Sequence, residues 1–173
     1  MKKYLFFLAM LSVASMLTVS CSKDDDEDPQ EASLHAKLDF ANKLTQGSTR
    51  GVWEGRETCY RKSWGNWSDD GTKFVVWRFD RASTSAVEGT GWMYVFEDAW
   101  YEHFREKGEF KWDMTDNVLQ ISYRNQGWEP LHAEYKTSEL VVSGDKFDGT
   151  WFVSSDWKYE FHYTKSGFSN WDL

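Results

Sequence analysis

An all-β fold, an antiparallel up-and-down barrel of about eight to nine strands with a short N-terminal helix, is what this sequence predicts; a β-sandwich is the alternative. Three observations lead there. From Gly51 to about Thr164 there is almost no helical periodicity and one proline, Pro130. Within that stretch apolar and polar residues alternate. The clearest case sets Trp157, Tyr159, Phe161 and Tyr163 against Lys158, Glu160, His162 and Thr164. That period belongs to a strand with one buried and one wet face. The apolar runs are short and divided by Gly, Ser, Asn and Asp, which is the pattern of an antiparallel meander. A sheet of that many strands curls, and closure removes its exposed edges.

The chain has 173 residues, room for one domain of ordinary size. Its net charge of −8 argues against a binder of nucleic-acid backbones, which needs a basic face. Two cysteines exclude a disulfide-stapled miniprotein and a four-cysteine zinc module. Eleven tryptophans exclude wholesale disorder.

Residues 1–20 read as a signal peptide. Lys2 and Lys3 are followed by an uncharged apolar run from Tyr4 to Val19, short for a membrane span of about 20 residues. Leu17-Thr18-Val19-Ser20-Cys21 resembles a bacterial lipobox, which implies that Cys21 is lipidated and anchors the chain to a membrane. The acids Asp24, Asp25, Asp26, Glu27 and Asp28 come next and keep the tether extended by self-repulsion. They also resemble the export signal of surface lipoproteins of Bacteroidetes-type bacteria. Outer-membrane attachment, facing outward, is the expected location. Residues 21–49 form the tether and a short helix at 31–46, with Leu34, Leu38 and Ala41 on one face, Ser33 as N-cap and Gly47 as stop. Residues 50–173 form the barrel domain.

Strands are expected near 51–61, 72–80, 89–97, 108–114, 118–123, 130–136, 139–143, 147–153 and 157–164. Tight-turn residues lie between several of them, as in Thr115-Asp116-Asn117, Lys136-Thr137-Ser138 and Ser143-Gly144-Asp145-Lys146. Gly51-Val52-Trp53, on the first strand of an aromatic-rich meander, resembles the lipocalins and the wider calycin group. Arg78-Phe79-Asp80, Gly89-Thr90-Gly91, Phe110-Lys111-Trp112 and Leu119-Gln120-Ile121 resemble lipocalin-like lipoproteins of Bacteroidetes. The resemblance implies that Trp53 plugs one end of the barrel.

Nothing in the sequence reads as catalytic. There is no Gly-x-Ser-x-Gly, phosphate loop or dinucleotide fingerprint, and hence no cofactor is expected. His35, His103, His132 and His162 show no metal-ligand spacing, and none stands in a cysteine-hydrolase context with Cys59. The tryptophans carry more information. Trp64 to Gly71, Asp98 to Phe104 and Gln126 to Glu129 read as three aromatic loops. Exposed indoles offer large contact area at small entropic cost. Strand parity places the turns at 62–71, 98–107, 124–129 and 143–146 at the end away from the tether. The turns at 81–88, 115–117, 136–138 and 154–156 fall at the tether end. Trp64, Trp67, Trp100, Tyr101, His103, Phe104 and Trp128 thus share one rim, the expected ligand site. The expected function is binding of an apolar small molecule or a glycan. The alternative is a protein partner, as for a protease inhibitor working through its aromatic loops.

Overall fold

The computed structural model describes residues 29–115, 118–124, 132–136 and 140–167. Cys21, the acidic run and Trp128 lie outside them. The elements are α1 (Pro29–Leu44), β1 (Arg50–Ser63), β2 (Asn66–Asp80), β3 (Glu88–Phe96), β4 (Phe104–Thr115), β5 (Val118–Arg124), β6 (His132–Lys136), β7 (Val141–Ser143), β8 (Lys146–Ser154) and β9 (Trp157–Lys165). Each strand from β1 to β5 pairs antiparallel with the next. β9 returns to β1, and β6 meets β8 at Glu134 opposite Phe152. The sheet therefore curls into an all-β up-and-down barrel, as the alternation predicts.

One turn expected from the sequence is not a reversal. Glu134 of β6 and Val141 of β7 lie opposite Phe152 and Asp148 of β8, so β6 and β7 run in the same direction along one neighbour. They share a single position in the wall, beside β8, and residues 137–139 between them lie outside the described residues. Counting 136–138 as a hairpin inverted every later assignment. The 144–145 turn lies at the end where β1 begins, with the Lys165 amide donating to the Asp145 carbonyl. The 155–156 turn lies at the opposite end, where the Lys62 amide donates to the Asp156 carbonyl. We call the end where β1 begins the near end and the other the far end.

Residues of one parity fill the lumen. Trp53, Trp77, Phe79, Phe110, Trp112, Phe147, Trp151, Phe161 and Tyr163 are all buried there. Trp77 of β2 stands 5.0 Å from Phe110 of β4 and 5.1 Å from Trp151 of β8, ring centre to ring centre. Rings from separate parts of the wall thus meet across the axis and fill the barrel at that level. A second cluster, Val52, Val76, Tyr94 and Phe96, has the opposite parity and lies on the outer wall of β1, β2 and β3. In the sequence, Trp92, Tyr94 and Phe96 alternate like a core-facing set. Their register partners Arg78, Val76 and Phe74 put them outside, while Met93 and Val95 face in. Alternation gives a period but does not say which face is the lumen when both are apolar.

Helix α1 packs on the barrel through Ala41 and Leu44, both fully buried. It begins at Pro29, a residue suited to a first helical turn. Ser33 is therefore inside the helix and not its cap. The chain leaves α1 through Gln46 and Gly47, both left-handed at φ 56° and 73°. The Gly-x-Trp pattern has a local explanation here. A Cβ on Gly51 would stand 2.1 Å from the Leu44 carbonyl oxygen, and Trp53 Nε1 donates to that same oxygen at 2.8 Å. Gly51 and Trp53 together seat the last turn of α1 on the near end.

Candidate functional site

The far end carries the aromatic loops, and two of them differ from the sequence reading. Residues 62–71 are not a long loop. β1 and β2 extend to a two-residue turn, Trp64-Gly65, both with positive φ, 53° and 85°. Paired positive values match the twist of a hairpin. The segment from Asn66 to Thr72 is almost wholly polar, so it carried no alternation to read. Trp64 at the tip is 100% exposed. Trp67 sits on β2 opposite Lys62, partly exposed. β2 pairs with β3 only from Phe74 onward, so this hairpin projects past the neighbouring wall.

The second loop runs from Glu97 to His103 and returns to the far end beside Phe96. Asp98 organises it. Its carboxylate accepts the amides of Trp100 at 2.9 Å and His103 at 3.2 Å, and it pairs with the His103 ring. Trp100 is held outward and is 82% exposed. Tyr101, in a left-handed conformation, packs edge-on against Phe74 and Phe96 of the outer wall. Phe104 is on β4, paired with Phe96, and packs there too. Six of the seven predicted rim residues therefore lie at the far end, where His103 pairs with Asp98 and the other five fall in two groups. Tyr101 and Phe104 extend the outer-wall cluster. Trp64, Trp67 and Trp100 present indole to solvent. Trp128 lies outside the described residues.

The hydrogen bond from Asp98 holds the His103 imidazole above its ordinary value of 6.5, with the carboxylate's charge adding to it. The same bond holds Asp98 below its ordinary 3.8. The sign follows for each partner. The raised His103 contributes fully below the ordinary imidazole value and loses its contribution as pH rises through its folded value. The lowered Asp98 contributes above the ordinary carboxylate value and loses it as pH falls through its folded value. An NMR titration should place the His103 midpoint above 6.5. In Asp98→Asn it should move down toward the ordinary value. An unchanged midpoint would show that the pair does not organise the loop.

Inside the far half, the lumen turns polar. Glu57, 2% exposed, accepts from Trp77 Nε1 at 3.0 Å and from the Tyr163 hydroxyl, and pairs with Lys73 Nζ at 3.0 Å. Lys73 also lies 4.6 Å from the Tyr159 ring centre. Burial alone would lower the Lys73 ammonium. The charge of Glu57, assisted by Tyr159 and the bond to Glu57, outweighs burial, and the net shift is upward. Burial first, then Glu57, pushes the Tyr163 and Tyr123 hydroxyls well above their ordinary value. Nearer the mouth, Trp157 Nε1 donates to Cys59 Sγ at 3.2 Å, and Arg61 lies 4.3 Å over the Trp157 ring while bonding Asp70 at 3.0 Å. None of these residues was singled out from the sequence as a site. The signal was parity, because Glu57, Cys59 and Arg61 share the face of Trp53. Trp157 arrives at this end only because its turn is reversed from the expected one.

Among the described residues no group of three His, Cys, Asp or Glu side chains is placed to hold a metal ion. A solvent-open groove of about 380 Å³ lies at the near end, between the C-terminal end of α1 and the β7–β8 turn, lined by Lys43, Gln46, Val142 and Asp145 among others. No protein-family model matches the chain, and no curated protein matches it either.

Proposed function

We propose that this protein is a lipocalin-like surface lipoprotein, anchored to the outer membrane through Cys21, that binds a ligand at the far end of its barrel. The observation that carries the reading is the two indoles, Trp64 and Trp100, held almost fully in solvent at one end, with Trp67 partly exposed on the same hairpin as Trp64. Large exposed rings cost solubility unless they are used for contact. The filled lumen at the Trp77–Trp151 level supports a ligand at the mouth and not deep inside. The same filled core, with a projecting hairpin, favours a macromolecular partner as the second reading.

Covering half of an indole removes on the order of 100 Å² from water, roughly 2.5 kcal/mol at about 25 cal/mol per Å². Three such rings should account for about 100-fold or more in affinity. The full-length chain should therefore give binding on a glycan array or with apolar fluorophores. The variant combining Trp64→Ala, Trp67→Ala and Trp100→Ala should lose it at an unchanged melting temperature. Retained binding would refute the site.

Anchoring has its own test. Cys21→Ser should release the protein from membranes. Neutralising the five acids from Asp24 to Asp28 should hide it from external protease while leaving it membrane-bound. Surface exposure that survives neutralisation would remove the export role of the acids.

A further inference from the structure

The β1–β2 hairpin ends in a convex tip. Trp64 and Gly65 make the turn, and the Ser63–Asn66 and Lys62–Trp67 pairs stand behind it. No acid lies between Arg61 and Asp69, and Asp69 is opposite Tyr60, two pairs behind Lys62–Trp67. Lys62 Nζ lies 5.7 Å from the Trp67 ring centre and has no carboxylate partner among the described residues. Trp64 has φ 53° and is fully exposed. That turn position favours Asn, Asp or Gly, and a bulky side chain there is strained. The chain thus holds an indole in water where a small polar residue would be more stable.

Three features bear on the partner. A small molecule is held by a concave site that encloses most of its surface. A fully exposed ring at an apex has no opposing wall, so the partner supplies the surroundings. Indole beside lysine is the combination that suits a membrane–water interface, with the ring at headgroup level and the ammonium kept in water by its long stem. The depth also fits. At about 3.3 Å per residue, the tip through Lys62–Trp67 spans roughly 7–10 Å. An apolar face settles about 5–10 Å into the headgroup boundary. Asp69 then stays about 7 Å further back, in water. The loop that carries Trp100 also carries Glu97, Asp98 and Glu102, which leaves the acid-free hairpin as the part that enters.

We propose that the tip of the β1–β2 hairpin docks on a phospholipid bilayer, with Trp64 and Trp67 entering the headgroup region and Lys62 meeting lipid phosphates. This rests on the reading of the far end as the binding surface and names its partner as a lipid surface.

The test inserts the full-length chain in nanodiscs and mixes it with phosphatidylcholine vesicles, with and without phosphatidylglycerol. Flotation reads capture, and empty nanodiscs set the background. The parent should float with both kinds of vesicle. Trp64→Asn suits the turn, so its melting temperature should be unchanged or raised. It should nevertheless lower capture at least 10-fold, through the lost burial of indole. Lys62→Gln should weaken capture about fivefold on the anionic vesicles and little on the neutral ones. Raised salt should erase that difference. No capture of the parent overturns the proposal. So does capture that Trp64→Asn leaves within twofold of the parent. The two readings fail separately. A soluble ligand or protein that needs Trp64, Trp67 and Trp100, with vesicles left uncaptured, keeps the far-end site and removes the lipid. Capture lost in Trp64→Asn, with the glycan array and the fluorophores silent, keeps the lipid and removes the small ligand.

Discussion

Trp53→Ala is expected to lower folding stability by about 3–5 kcal/mol, the usual cost of deleting a large core side chain. Trp53 is fully buried, stacks edge-on against Phe147 at 5.5 Å, and donates to the Leu44 carbonyl that ends α1. Removing it opens a cavity at the near end and leaves that carbonyl without its indole donor. Typical domains have only about 5–15 kcal/mol in total. The melting transition should therefore fall by roughly 10 °C or more. Trp64→Ala, at a fully exposed turn position, should stay within about 0.5 kcal/mol of the parent. If the two substitutions have equal effects, Trp53 is not the plug.

Lys73→Met should be nearly as damaging for a different reason. It leaves the buried Glu57 carboxylate without its cation, and breaking one side of a buried pair costs about 3–5 kcal/mol. The bonds from Trp77 and Tyr163 remain, which places the cost toward the lower end. Adding Glu57→Gln to Lys73→Met should restore most of the loss, because the amide needs no counter-charge. The pH dependence has a definite sign. Lys73 is raised above its ordinary 10.5. Its contribution is present below that value and lost as pH rises through the higher folded value. Denaturant melts from pH 8 upward should show a steeper alkaline decline in the parent than in the double variant. A double variant no more stable than Lys73→Met alone would break the pairing account.

The barrel was legible because its evidence is periodic. Trp157 to Thr164 and Phe110 to Met114 alternate cleanly, and strands read there occur within a few residues of their expected limits. Other features leave no periodic trace. The polar half of the β1–β2 hairpin has no apolar face, so eight strand residues, 62–63 and 66–71, read as loop. β6 and β7 run in the same direction, although turn-forming residues lie between them in the sequence. Outer-wall Tyr94 and Phe96 have the chemistry of core residues, and only pairing shows which side they occupy. The placement of Trp64 and Trp100 at one end needed only the first four strands, whose order was simple. The Glu57–Lys73 pair needed long-range register, since it joins strands through side chains that look like ordinary surface charges.

Amide hydrogen exchange on the full-length chain, with and without the tightest ligand found on the glycan array or among the apolar fluorophores, tests the central claim most directly. Protection should appear in residues 61–73, 97–104 and 155–158, which the barrel brings to one end, and nowhere around the near-end groove at 42–47 and 142–145. Protection at the near-end groove, or equal exchange in both states at the far end, would contradict a far-end binding surface.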